Sequence, residues 1–204
     1  MSTPDLSQFG YNRAARRYVD LATGRFVSAN DVRAAVDTVI DATTVDIRNL
    51  AGQLVDGKLT VASWQTQMAA QLKALYVACG VAAGGGFAQM DSASYGYLGL
   101  RVKPQYQYLR NFAAQIANGQ QPPDGTLIAR AALYAQAARG IFEAMAGHLA
   151  QEAGCTQEKS NLGIADSCAL CIREAAKSWS AIGSLLPVGQ RTCLSNCRCT
   201  FSYK

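Results

Sequence analysis

The chain has 204 residues, half of them hydrophobic, with only 16% charged and a net charge of +5. That length suffices for one good-sized domain plus an appendage, and the mild positive balance tolerates an anionic partner while excluding a dedicated polycation. Charge this sparse points to a surface partly covered by neighbours.

Residues 1–27 read as an extended N-terminal arm. MSTPDLSQFGYNRAARRY lacks the apolar core of a leader peptide, so the expected place of synthesis and residence is the cytosol. RYVDLATGRFVS sets β-branched and aromatic residues around Thr23-Gly24, the pattern of a small hairpin. Arg13, Arg16, Arg17 and Arg25 are balanced only by Asp5 and Asp20. Three fates are open to such an arm: clasping a neighbour, touching phosphate, or remaining a solvated terminus.

Residues 28–155 read as a helical domain. Ser28 with Asp31 three positions on is an N-terminal capping signal. Val32, Val36, Val39, Thr43, Ile47, Leu50 and Leu54 then fall at helical spacing, and Asp56-Gly57 ends the helix. A second helix starts at Thr60 and carries Val61, Trp64, Met68, Leu72, Leu75 and Cys79 on one stripe, which makes Cys79 a core residue. Gly84, Gly85 and Gly86 bend or break it, with no Lys-Ser/Thr following to make a phosphate cradle. The longest uncharged run, Ala74 to Met90, is 17 residues with four glycines, too short and too broken to span a membrane.

A third helical pattern covers about 91–118, with Leu98, Val102, Leu109, Phe112 and Ile116 on its face and Pro104 expected to kink or divide it. Tyr95, Tyr97, Tyr106 and Tyr108 crowd this stretch and read as core or subunit contacts rather than a base-stacking platform. After the loop NGQQPPDG, a fourth helix is predicted over about 124–154, its face marked by Leu127, Ala131, Tyr134, Ala138, Ile141, Met145 and Leu149. The only histidine, His148, has no second histidine near it and reads as structural. The fold expected is mainly α, with long antiparallel helical hairpins roughly 35–45 Å in length at 1.5 Å per residue.

Residues 156–204 form a Cys-rich C-terminal subdomain. Five of the seven cysteines lie here: Cys168 and Cys171 as C-x2-C, then, after 21 residues, Cys193, Cys197 and Cys199 as C-x3-C-x-C. Each cluster offers thiolates from a tight turn, and two such turns can close a tetrahedral site around one zinc ion. Gly183, Pro187 and Gly189 supply the bends that bring the chain back. The competing readings are a disulfide-tied tail and inert free thiols; an odd cysteine count and a reducing compartment favour the metal. Four ligands suffice, so one of the five is spare: Cys168, Cys171 and Cys197 are the first choices, and Cys193 and Cys199 compete for the fourth place. No Walker loop, G-x-S-x-G, H-E-x-x-H or strand-borne G-x-G-x-x-G occurs, and no acid/base dyad can be assembled, so no enzymatic activity is expected.

The tail DSCALC…GSLLPVGQ…CLSNCRCTF resembles the C-terminal domain of tailed-phage minor head proteins of the phage Mu F-like, head-morphogenesis family. The resemblance rests on Cys168, Cys171, Gly183, Pro187, Asn196, Cys197, Arg198, Cys199, Thr200 and Phe201. The family usually has His-Pro before the Asn; here Leu194-Ser195 stand there, with Cys193 just upstream in place of the imidazole. The resemblance implies a virion component assembled in the host cytoplasm, acting at the head or near the portal vertex. It implies capsid, portal or neck proteins and further copies of the chain as partners, and no catalytic role. Contact with packaged DNA stays open, and no membrane is involved. The alternative is a zinc-dependent nucleic-acid-binding module, since Arg173, Lys177, Arg191, Arg198 and Lys204 outnumber Asp166 and Glu174 from residue 166 onward.

Overall fold

Ser28 starts the body of the protein. Its hydroxyl accepts the Asp31 N–H at 3.1 Å while the Asp31 carboxylate accepts the Ser28 N–H at 2.9 Å, the reciprocal capping box that the sequence signals. In the computed structural model, which describes residues 5–163 and 166–204, this cap opens α1 (Ala29–Val55). Gly57, at φ 71°, closes it. Val32, Val36, Ile47, Leu50 and Leu54 are buried as expected, whereas Ile40 and Thr44 take the core places assigned to Val39 and Thr43. An apolar helix face is a broad stripe, and the choice within it is made by the neighbouring helix.

Thr60 caps α2 (Val61–Gly84), and Trp64, Met68, Leu72, Leu75 and Cys79 are all buried along it. Trp64 meets Phe112 edge-on, with ring centroids 5.4 Å apart. Asp91 caps α3 (Ser92–Ala117). This helix is not divided at Pro104. Pro104 and Leu100 lie on its exposed side, where water can satisfy the one carbonyl that proline leaves without a donor. Leu98, Val102, Leu109 and Phe112 hold both halves against the core.

The single fourth helix predicted over 124–154 is a correction: it is two helices, α4 (Gly125–Gln136) and α5 (Ala138–Glu152). The buried Tyr76 hydroxyl donates to the Tyr134 carbonyl at 2.7 Å, the group that the Ala138 N–H would use in an unbroken helix. A side chain inserted in the i→i−4 ladder is a recognised cause of such a break. At 1.5 Å per residue the two pieces are roughly 18 and 22 Å long. The predicted face survives the break: Leu127, Ala131, Tyr134, Ala138, Ile141 and Met145 are buried. The body is thus mainly α, with α1 packed on α4, and α2 on α1, α3 and α5.

The first four residues of the expected arm lie outside the described residues. The rest is strand-rich, as the hairpin pattern predicts, but it is folded onto the body. Strands β1 (Phe9–Asn12), β2 (Arg17–Asp20) and β3 (Phe26–Val27) form an antiparallel sheet in that order, with Phe9 opposite Asp20 and Tyr18 opposite Val27. Leu6, Phe9 and Tyr18 enter the helical core, and the Tyr18 hydroxyl donates to the Ala83 carbonyl at 2.8 Å. The triple glycine makes this docking possible. A Cβ on Gly85, at φ 79°, would lie 2.2 Å from Tyr11 Cβ. Among the described residues, no helix is long and apolar enough to cross a membrane.

Candidate metal centre

The tail begins with β4 (Gln157–Asn161), which is flanked by β5 (Ser180–Ala181) and β6 (Thr200–Tyr203), both antiparallel to it. Between β4 and β5 lies α6 (Ala169–Ala176). Residues 164 and 165 of the tail are outside the described residues. Cys168 stands at the N-terminal cap of α6 and Cys171 in its first turn, so the C-x2-C pair faces one way. The chain after β5 returns through Gly183 and Gly189 to a 3-10 turn at Leu194–Asn196. Cys193 precedes that turn, Cys197 follows it, and Cys199 leads into β6. Leu194, a non-glycine residue at φ 47°, holds a left-handed backbone beside Cys193, a conformation that costs about 1–3 kcal/mol and persists where surrounding structure enforces it.

All five predicted cysteines converge. Cys193 Sγ lies 3.6 Å from Cys168 Sγ and 3.5 Å from Cys171 Sγ, and Cys171 Sγ lies 3.7 Å from Cys197 Sγ. A tetrahedral ion with sulfur ligands at ~2.3 Å has sulfur–sulfur edges of ~3.8 Å, so each of these separations is close to one edge of such a site. The sulfurs form two overlapping triads, Cys168/Cys171/Cys193 and Cys171/Cys197/Cys199, each within 4.8 Å and sharing Cys171. None of the seven cysteines is in a disulfide. The cluster could therefore hold a metal ion. Cys79 and Cys155 are elsewhere; burial pushes the Cys79 thiol up to about 12, as fits its place in the core.

The cluster's electrostatics are uneven. The Cys171 amide and the neighbouring Cys193 groups lower the Cys168 thiol to about 6. Burial pushes Cys171 up strongly and Cys193 up to about 11. Burial also opposes ionisation of Cys197, but the Cys199 amide and the adjacent thiols outweigh it and hold Cys197 below the ordinary range.

Several site residues were not legible in the sequence. Arg191 is fully buried beside the cluster, 5.4 Å from the Phe201 ring centre, and its Nε donates to the Leu186 carbonyl at 2.9 Å. Glu158 accepts the Gly183 and Leu185 N–H groups, both at 3.0 Å, and Glu174 accepts the Leu186 N–H at 3.2 Å, so two buried carboxylates shape the returning loop. On the body, Glu143 of α5 accepts Arg33 Nε at 2.7 Å and the Phe201 N–H of β6 at 3.1 Å. The loop also presses on α5, where a Cβ on Gly140 would stand 3.0 Å from the Val188 carbonyl oxygen. Glu158, set among polar neighbours in QEKSN, gives no sequence signal that it will be buried.

Away from the cysteines, a cleft of about 510 Å³ opens between α3, α4–α5 and the tail loop at Pro187–Gln190. Its lining includes Arg101 and Arg130 but no carboxylate, histidine or cysteine, so it assembles no acid/base pair. His148 stacks on Tyr97 with ring centroids 4.1 Å apart and lies 3.3 Å from Glu152, a structural setting.

Fold and site together define a mainly helical protein whose small three-stranded tail carries a thiol cluster capable of metal binding. No protein-family model, curated protein or solved structure matches the chain.

Proposed function

We propose that the protein is a structural component of a tailed-phage virion, placed in the head or head–neck region, whose tail is stapled by one zinc ion. The observation that carries this reading is the convergence of the residues behind the phage minor-head resemblance. Cys168, Cys171, Cys197 and Cys199 lie in one cluster, and Phe201 joins the same small core. Arg198 of the N-C-R-C run reaches Asp37 on α1 at 3.6 Å, so the motif also bears on the helical body. The ligand set proposed starts from the triad Cys168, Cys171 and Cys193, with Cys197, 3.7 Å from Cys171, as the fourth thiolate and Cys199 as the fifth thiol. Four thiolates close a zinc coordination sphere in the manner of structural sites, with no position left for a reacting group. The partners proposed are capsid, portal or neck proteins and further copies of the chain.

The nucleic-acid reading has less support, because its basic residues have internal partners. Arg191 is buried, Arg173 and Lys177 pair with Glu174, Arg198 faces Asp37, and Lys204 lies over the Trp179 ring. Mass spectrometry of purified particles tests the virion reading. A fixed copy number per particle is expected, and absence from particles that assemble normally would defeat it. Tight duplex-DNA binding with a steep salt dependence would favour the rival.

A further inference from the structure

A guanidinium stays protonated at any pH a protein meets, and burying it without a counter-charge costs several kcal/mol. Arg191 has no exposed surface. Its Nε is bonded to the Leu186 carbonyl, but among the described residues Nη1 and Nη2 have no hydrogen-bond partner and no carboxylate pairs with the guanidinium. The two buried carboxylates of the tail are engaged elsewhere, Glu158 by Gly183 and Leu185, Glu174 by Lys177 and Leu186. What the guanidinium does adjoin is the cysteine cluster: Arg191 stands two residues before Cys193, and its guanidinium lies 5.4 Å from the centre of the Phe201 ring, which packs in one small core with Cys171, Cys197 and Cys199. Neutral thiols or disulfides would leave the cation only the face of the Phe201 ring. Four thiolates around a divalent ion carry a net charge of −2, which compensates the guanidinium and leaves the site one negative charge in excess.

We infer that Arg191 is a positioning residue of the metal centre: its buried guanidinium offsets part of the charge of a dianionic four-thiolate site and so favours the metal-loaded state. This rests on the metal reading above. It goes beyond ligand identity, because it makes metal affinity depend on a cation that touches no metal. Groups of this kind orient ligands and tune the ion they surround.

The test uses the full-length protein loaded with Zn²⁺ or Co²⁺, with affinity measured by chelator competition and the cobalt–thiolate charge-transfer band as a second readout. Arg191→Met keeps an apolar stem and removes the charge; Arg191→Lys keeps the charge. Arg191→Met is expected to weaken zinc roughly 10–100-fold and to shift the cobalt band, and Arg191→Lys to recover most of the affinity. If Arg191→Met does not fold, Arg191→Gln, which retains donors without charge, carries the same expectation. Affinity within twofold of wild type in the uncharged variant would overturn the inference, as would equal loss in the lysine variant, which would mean packing alone. Wild-type protein that binds neither Zn²⁺ nor Co²⁺ would instead overturn the metal reading itself.

Discussion

Glu143 fastens the tail to the helical body through one buried carboxylate. It is 3% exposed, receives the Arg33 guanidinium and the Phe201 N–H, and sits where Arg33 Nη2 also donates to the Phe201 carbonyl at 3.0 Å. The Tyr203 hydroxyl adds a bond to the Glu143 carbonyl at 3.3 Å. Breaking a buried pair by removing one member leaves the other charge desolvated and unpaired, a loss of about 3–5 kcal/mol. Glu143→Ala is therefore expected to lower stability by that amount in urea unfolding and to speed hydrogen exchange at the Phe201 amide. An unchanged unfolding midpoint would show that the contact is incidental. Asp37 invites a smaller claim: it takes both Arg139 and Arg198 but is 39% exposed on its side chain, and solvent-screened pairs contribute about 0–1 kcal/mol.

At the scale of elements, the serine series divides the cysteines of α6 and the returning loop. Cys168 and Cys171 come from the cap and first turn of one short helix, so losing either removes a ligand that no neighbour on α6 can replace. Cys168→Ser and Cys171→Ser are expected to abolish stoichiometric zinc in elemental analysis while the far-UV circular dichroism of α1–α5 persists. Cys199→Ser should retain about one equivalent and Cys193→Ser should not, because Cys193 makes close contacts to both members of the C-x2-C pair. Reversal of that order would exchange the two in the ligand set. The cluster was legible because cysteine spacing is a local signal, as were the cap at Ser28, the helix starts at Thr60 and near residues 91 and 124, and the buried stripes that follow them. The break between α4 and α5 was not, since it depends on a hydroxyl from Tyr76, 58 positions before its acceptor. Strand β4 was hidden for a different reason: QEKSN buries Glu158 and Ser160, so its alternation places polar side chains inward. Its partner β6 lies about 40 residues away, beyond any hairpin signal.

For the whole molecule, two appendages are held to one body by different means. The N-terminal sheet relies on apolar burial: Leu6, Phe9 and Tyr18 enter the common core, each contributing about 1.5–3 kcal/mol, against a typical domain stability of about 5–15 kcal/mol. Deleting residues 1–27 is thus expected to lower the thermal midpoint by about 10–20 °C, and a midpoint within a few degrees of the intact chain would return the segment to the role of a detached arm. The tail has less to bury. Among the described residues its own cluster holds only Leu185, Val188 and Phe201 besides three buried cysteines, too little apolar area to offset the chain entropy of the loop from α6 to β6. Strand β6 is nonetheless pinned twice, by its register with β4 from Glu158–Tyr203 to Asn161–Thr200 and by Glu143. Stripping metal with a chelator should therefore act on part of the tail only. Hydrogen exchange is expected to accelerate across α6 and residues 187–199, to change little at β4 and β6, and to leave α1–α5 protected, because binding energy at a structural metal site is folding energy for the segments that supply its ligands. Unchanged protection of α6 and the 187–199 loop in metal-free protein would mean that packing alone closes the tail, and the staple would have to be abandoned.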